Sequence, residues 1–157
     1  MRPERTPIGL YLTHASRAIS RAFDDALAAA GGSLPVWLVL VNLKMRSVAS
    51  QRDLAEAMGI KEATVTHHLN AMEAAGLITR HRDPANRRIH VVELTEAGES
   101  SFARLREAAF AFDTRLRQNV TQEEIATLED LLARLAANVA PPDGRPLWAG
   151  FTDGAAP

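Results

Sequence analysis

The chain has 157 residues, 46% hydrophobic and 24% charged, with 18 basic against 19 acidic side chains and a net charge of −1. That is the size and composition of one globular domain with a real core, which excludes wholesale disorder, collagen-like repeats and coiled-coil rods. Cysteine is absent, which excludes disulfides, cysteine-ligated zinc and thiol redox sensing.

Thr6-Pro7 opens the first predicted helix, as a cap followed by proline at the first helical position. Ile8, Leu12, Ala15, Ile19, Ala22 and Ala26 then recur at spacings of three and four, a single helical stripe, and Gly31-Gly32 ends it. Ser33 is placed to cap a second helix that tolerates Pro35 in its first turn. Val36 to Val41 is apolar all round, the mark of a buried helix. The apolar run from Leu34 to Leu43, interrupted by Pro35 and Asn42, is far short of the roughly 20 residues that span a bilayer. Residues 1–7 also lack the apolar stretch of a secretory signal. The expectation is therefore a cytoplasmic protein without a membrane partner.

Two short helices follow. Ser50 and Asp53 have the spacing of a capping box for Leu54 to Met58, with Gly59 as the stop. After one tight turn a second short helix runs from about Glu62 to Ala75 and halts at Gly76, which completes the pattern of a helix-turn-helix. Leu77–Arg80 and Ile89–Leu94 read as two strands. The segment from His81 to Arg88 between them holds Asp83-Pro84 and Asn86, turn chemistry with basic residues at both ends. Thr95 to Gly98 opens a long helix with a near-heptad seam of Phe102, Leu105, Ala109, Phe112, Leu116 and Val120. Thr121 and Glu124 form a capping box for a last helix whose apolar face is Ile125, Leu128, Leu132, Leu135 and Val139. Residues 140–157 are rich in Pro, Gly and Asp and are expected to be a flexible tail, in which Trp148 and Phe151 stand out.

A helix-turn-helix followed by a hairpin is a winged helix. The fold class expected is mainly α with a small β-hairpin wing. A single domain over residues 1–139 would hold a winged lobe at about 47–94 and flanking helices at about 6–30 and 96–139.

At about 100° per residue, Val65, Leu69 and Met72 face inward, and Ala63, Thr64, His67, Asn70 and Ala71 face out. That outer face is small and hydrogen-bonding, suited to approaching base edges in a major groove, and Lys61 at the helix start suits a phosphate. The near-neutral total conceals a basic segment. Residues 76–92 carry Arg80, Arg82, Arg87 and Arg88 against Asp83 alone, a local +3, while residues 121–157 carry a local −4. Arg87 and Arg88 at a hairpin tip fit a narrow minor groove or a phosphate clamp, with Asp83 available to orient one of them. The stripes of the first and last two helices exceed what a compact winged lobe covers. Dimerisation through Ile8, Leu12, Phe112, Leu116, Leu128, Leu132 and Leu135, or packing into an intramolecular bundle, would bury them.

Leu54-Ala55 through Gly59-Ile60, Thr64-Val65-Thr66, Leu69, Met72-Glu73, Gly76-Leu77-Ile78, Arg80, Asp83-Pro84, Asn86-Arg87-Arg88 and Val92 to Gly98 together resemble the MarR family of bacterial winged-helix regulators, over about residues 6–139. The resemblance implies a homodimer with interlocked terminal helices, a repressor associated with the bacterial nucleoid through DNA binding, whose two lobes sit on successive turns of a palindromic double-stranded operator. It implies DNA contacts from Ser50, Gln51, Lys61, Ala63, Thr64, Thr66, His67, His68, Asn70, Arg80, Arg82, Asp83, Arg87 and Arg88. Asn86 stands where the family often has an acid, so ionic pairing of the wing arginines falls to Asp83. Release by a small aromatic effector is a further family trait, for which His14, Arg17 and Trp37 are the candidates.

No cofactor and no metal are expected: His67 and His68 are adjacent and diverge on a helix, and His81 and His90 lack a carboxylate cluster. No phosphate loop, His-Glu-x-x-His or nucleophile elbow is present, so no catalytic residue is assigned and an enzyme is not expected. The rival from another class is a winged-helix module that binds protein.

Overall fold

The computed structural model describes residues 7–45, 49–84 and 90–139. Among the described residues six helices and three strands follow one another as α1 (Ile8–Ala29), α2 (Leu34–Met45), β1 (Ala49–Ser50), α3 (Gln51–Met58), α4 (Glu62–Ala74), β2 (Ile78–Arg82), β3 (His90–Leu94), α5 (Glu96–Leu116) and α6 (Gln122–Val139). The architecture is mainly α with a small antiparallel sheet, as the sequence pattern implies. Among the described residues no single helix is long and apolar enough to cross a membrane.

The local chemistry that sets the boundaries is visible atom by atom. The Ser50 side chain accepts from Asp53 N at 3.1 Å while the Ser50 N–H donates to Asp53 Oδ2 at 3.1 Å, a complete capping box on α3. Gly59, at φ +66°, turns the chain out of α3, and the Ile60 N–H reaches back to Ala55 O. Thr121 and Glu124 cap α6 in the same reciprocal way. The hydrogen bond from the Thr121 backbone holds the Glu124 carboxyl below its ordinary value.

Four boundaries differ from the sequence pattern. Pro7 occupies the N-cap of α1 rather than its first turn, with no side-chain cap bond; Thr6 lies outside the described residues. Leu77 stands in the turn before β2, its N–H bonded to Met72 O and its carbonyl accepting from Thr95 N. His81 and Arg82, assigned to the hairpin tip, are extended and pair with Val91 and His90. Val120 falls beyond the end of α5, which gives way to a turn at residues 117–119 where Asn119 takes φ +62°. The long seam therefore stops at Leu116.

The sheet is ordered β1-β3-β2, and β1 is a strand the sequence does not announce. Ala49 pairs with Val92 and Ser50 with Val91, which anchors the start of the helix-turn-helix to the wing.

One core serves the lobe. Val39, Leu40, Leu54, Val65, Leu69, Met72, Ile78 and Val92 are buried together with Leu27 from the end of α1 and Leu105 from the first half of α5. Trp37 stacks on Phe102 with centroids 5.8 Å apart, joining α2 to α5, and Phe23 meets Phe112 at 5.0 Å, joining α1 to α5. Away from the lobe burial ceases. None of the residues of α6 is buried, and Ile8, Leu10, Tyr11, Phe110, Leu116, Leu128, Leu131 and Val139 are exposed.

The start of α5 is fixed by Thr95, whose side chain accepts from Gly98 N at 3.0 Å and donates to Gly76 O at 2.6 Å. A Cβ on Gly98 would lie 2.0 Å from the Leu77 carbonyl oxygen, which is backbone and cannot yield. Gly98→Ala is expected to destabilise the protein by about 1–3 kcal/mol, read as a lower urea midpoint at unchanged m-value. Gly9→Ala, in α1 with a Cβ that meets nothing within 4 Å, is the control that leaves the midpoint unchanged or raises it slightly.

Candidate nucleic-acid interface

The surface that the sequence marks for DNA is built outward from the core. Val65, Leu69 and Met72 of α4 are buried to 2% exposure or less, so the helix has no rotational freedom. Burial of three such side chains contributes roughly 1.5–3 kcal/mol each. The opposite face follows from the helical period: Ala63, Thr64, His67, Asn70 and Ala71 are all exposed.

The neighbours of that face have other work. Thr66 donates to Glu62 O at 2.9 Å and accepts from Gln51 Nε2, so Gln51 and Thr66 bolt α3 to α4. Ser50 spends its side-chain oxygen on the α3 cap. His68 is half-buried beside His67, with ring centroids 5.8 Å apart. Lys61 stands exposed at the N-cap of α4, where the positive end of the helix dipole adds to its charge.

Arg80, counted among the DNA-contacting arginines on charge alone, is committed inside the protein. Its Nε donates to Glu73 Oε2 at 3.0 Å, Nη2 donates to the same oxygen, and Nη2 also donates to Asn70 Oδ1 at 2.6 Å. This cluster ties β2 to α4. Glu73 is the partner that sequence reasoning missed, and its spacing of seven from Arg80 across a glycine turn was the available signal. Arg82 is exposed at the end of β2 and Asp83 is half-buried just past it. Arg87 and Arg88 lie outside the described residues, and so does the pairing of Asp83 with either of them.

The remaining candidates are dispersed. His14 and Arg17 are exposed on α1, while Trp37 is half-buried against Phe102. Among the described residues no hydrogen bond, ion pair or ring contact joins the three. A separate open groove of 340 Å³ runs between α1 and α5, lined by Ala18, Ile19, Ala22, Phe112, Arg115 and Leu116. His81 does have one carboxylate neighbour, Glu93 Oε2 at 3.8 Å. Among the described residues no three His, Asp or Glu side chains are placed to hold a metal ion.

Hydrogen bonding by Arg80, reinforced by its charge, holds the Glu73 carboxyl below its ordinary value of 4.5. A carboxyl with a lowered folded-state pKa contributes stability that is complete above its ordinary value. That contribution is lost as the pH falls through the lowered one. A carboxyl-carbon NMR titration of Glu73 is therefore expected to show a midpoint below 4.5 that rises in Arg80→Met. Equal midpoints in the two proteins would remove the pair.

Comparison with known proteins places this geometry. The family model described as MarR family matches residues 33–90. An uncharacterized HTH-type transcriptional regulator of Bacillus subtilis, YdgJ, is 36% identical over 90 residues, 57% of this chain and 55% of that protein, so the match spans about half of that relative's length. The structure of the transcriptional repressor CouR bound to a 23-mer DNA duplex superposes with a TM-score of 0.75 at 26% identity, over 83% of this chain and 92% of that one. A probable transcriptional regulator from Pseudomonas aeruginosa gives a TM-score of 0.71 at 28% identity, covering 82% and 96%.

Proposed function

We propose that the chain is a MarR-family winged-helix regulator, the family whose model matches residues 33–90, and that it is a homodimeric, sequence-specific repressor of double-stranded DNA. In this reading α4 enters the major groove of each half of a palindromic operator. The wing, with Arg82, Arg87 and Arg88, follows the backbone or the adjacent minor groove. The observation that carries it is the outer face of α4: five small or hydrogen-bonding residues, exposed together and held out by a fully buried inner face. The likeness over most of this chain to the repressor CouR, solved bound to a DNA duplex, supports a DNA-binding reading.

The dimer rests on apolar surface. The exposed side chains of Ile8, Tyr11, Leu116, Leu128, Leu131 and Val139 lie on the terminal helices and away from the lobe. A second copy covers such faces and sets two recognition helices one helical turn of DNA apart. Of the residues assigned to this interface, Leu12 and Phe112 are already half-covered within the chain, Phe112 by Phe23. Release by an aromatic effector at His14, Arg17 and Trp37 rests on the family resemblance alone.

Fluorescence anisotropy against the DNA upstream of the chain's own gene, with a scrambled duplex as control, tests the regulator reading. The expected result is selective binding at a Kd on the order of 10⁻⁸–10⁻¹¹ M, two chains per site, weakening steeply with salt. No binding to any duplex at low salt would favour the rival module that binds protein. Because Leu128 and Leu135 are exposed and no residue of α6 joins the core, the double variant Leu128→Asp with Leu135→Asp is expected to leave the lobe folded. It should yield monomers in sedimentation and lose operator binding; a variant that stays dimeric would move the interface elsewhere.

A further inference from the structure

A side-chain amide on a recognition helix is ordinarily ambiguous, because it presents an acceptor at one end and a donor at the other and can rotate to exchange them. Asn70 is exposed on the outer face of α4, and its amide is not free to do this. Arg80 Nη2 stands 2.6 Å from one amide atom. A guanidinium carries five N–H donors and no acceptor, so the atom facing it has to be the oxygen. Arg80 is itself held, since Nε and Nη2 both donate to Glu73 Oε2 and the side chain is only 19% exposed. The chain Glu73–Arg80–Asn70 is thus directional: carboxylate fixes guanidinium, guanidinium fixes amide oxygen. The Nδ2 amine of Asn70, about 120° away from that oxygen, has no partner among the described residues.

We propose that Arg80 is a positioning residue that locks Asn70 as a hydrogen-bond donor, and that α4 consequently rejects cytosine at the base Asn70 faces. This rests on the reading of α4 as the base-reading helix. In the major groove guanine offers two acceptors, N7 and O6, adenine offers N7 and thymine offers O4, whereas cytosine shows only the N4 amino donor. A donor fixed against cytosine leaves two donors facing each other with water excluded, which is the costly arrangement. Guanine, with two acceptors for the two amine hydrogens, is the base best matched. Arg80 therefore contributes to specificity without touching DNA, in contrast to Arg82 at the exposed end of the same strand.

The test is selection of bound duplexes from a randomised library by the purified full-length protein and its variants, followed by sequencing. Asn70→Ala identifies the position concerned as the one whose base preference disappears. At that position the parent protein is expected to disfavour cytosine on the order of tenfold relative to guanine. Arg80→Met frees the amide to rotate, so the guanine-to-cytosine ratio should fall toward one while preferences at other positions persist. Arg80→Lys, which still donates to Asn70, should restore the ratio. Asn70→Asp presents only acceptors and should reverse it in favour of cytosine. A purely structural role for Arg80 predicts weaker binding with an unchanged motif. An Arg80→Met protein that selects the parent's motif overturns the proposal, as does cytosine at the Asn70 position in the parent or an Asn70→Ala motif identical to the parent's. If the parent enriches no motif at all, the regulator reading itself fails, and this inference falls with it.

Discussion

Everything in the lobe depends on the seating of one helix. Val65, Leu69 and Met72 belong to the core cluster of the described residues, together with residues of α2 and α3, Ile78 and Val92 from the sheet, and Leu27 and Leu105 from the long helices. A 3.6-residue period then leaves no choice about what faces outward. The same burial that stabilises the fold aims the outer face of α4, the face proposed to read DNA. Caps and turns supply the remaining constraints: Gly59 and Gly76, both at positive φ, stop α3 and α4 where the next element must turn back.

Polar tethers complete what packing begins. Gln51 to Thr66 fixes α3 against α4, and Glu73 with Arg80 fixes β2 against α4. Thr95 fixes the start of α5 to the end of α4 through Gly76 O. Exposed ion pairs of this kind add little to global stability. Their consequence is geometrical, because they hold the wing and the recognition helix as one unit. Charge bookkeeping shifts accordingly. With Arg80 spent on Glu73 and His81 beside Glu93, the exposed lysine and arginine of α4 and the wing strands among the described residues are Lys61 at the α4 N-terminus and Arg82.

Much of this was legible in the residues. Capping boxes at Ser50/Asp53 and Thr121/Glu124 are local, and local chemistry survives folding unchanged. The inward triad of α4 is a periodicity, equally local. What escaped is non-local or too short. Two residues of β1 carry no alternation to detect, and their partners lie some forty residues on. Val120 continues the heptad arithmetic, but Asn119 adopts the left-handed conformation that ends α5, a choice Asn makes more readily than other non-glycine residues. Arg80 looked like a DNA contact because charge is read from sequence and its neutralisation is not; only the fold brings Glu73 and Asn70 to it.

Stability and association are assigned to different halves of the chain. The lobe buries its apolar residues in a core that it shares with Leu27 of α1 and Leu105 of α5. The terminal helices differ: full burial is confined to Leu27 at the end of α1 and to Gly98, Ser101 and Leu105 in the first half of α5, and α6 holds half-buried residues but none fully buried. An amphipathic helix with a complete capping box and no core of its own is pre-formed for a surface that another molecule supplies. Because the capped end of α6 follows directly on α5, whatever covers α6 also acts on α5. Through Phe102 on Trp37, α5 bears on α2, which packs beneath the recognition helix. In the proposed dimer the spacing between the two α4 helices would therefore be set by helices rather than by loops, and a change at the α1–α5 junction has a packed route to α4.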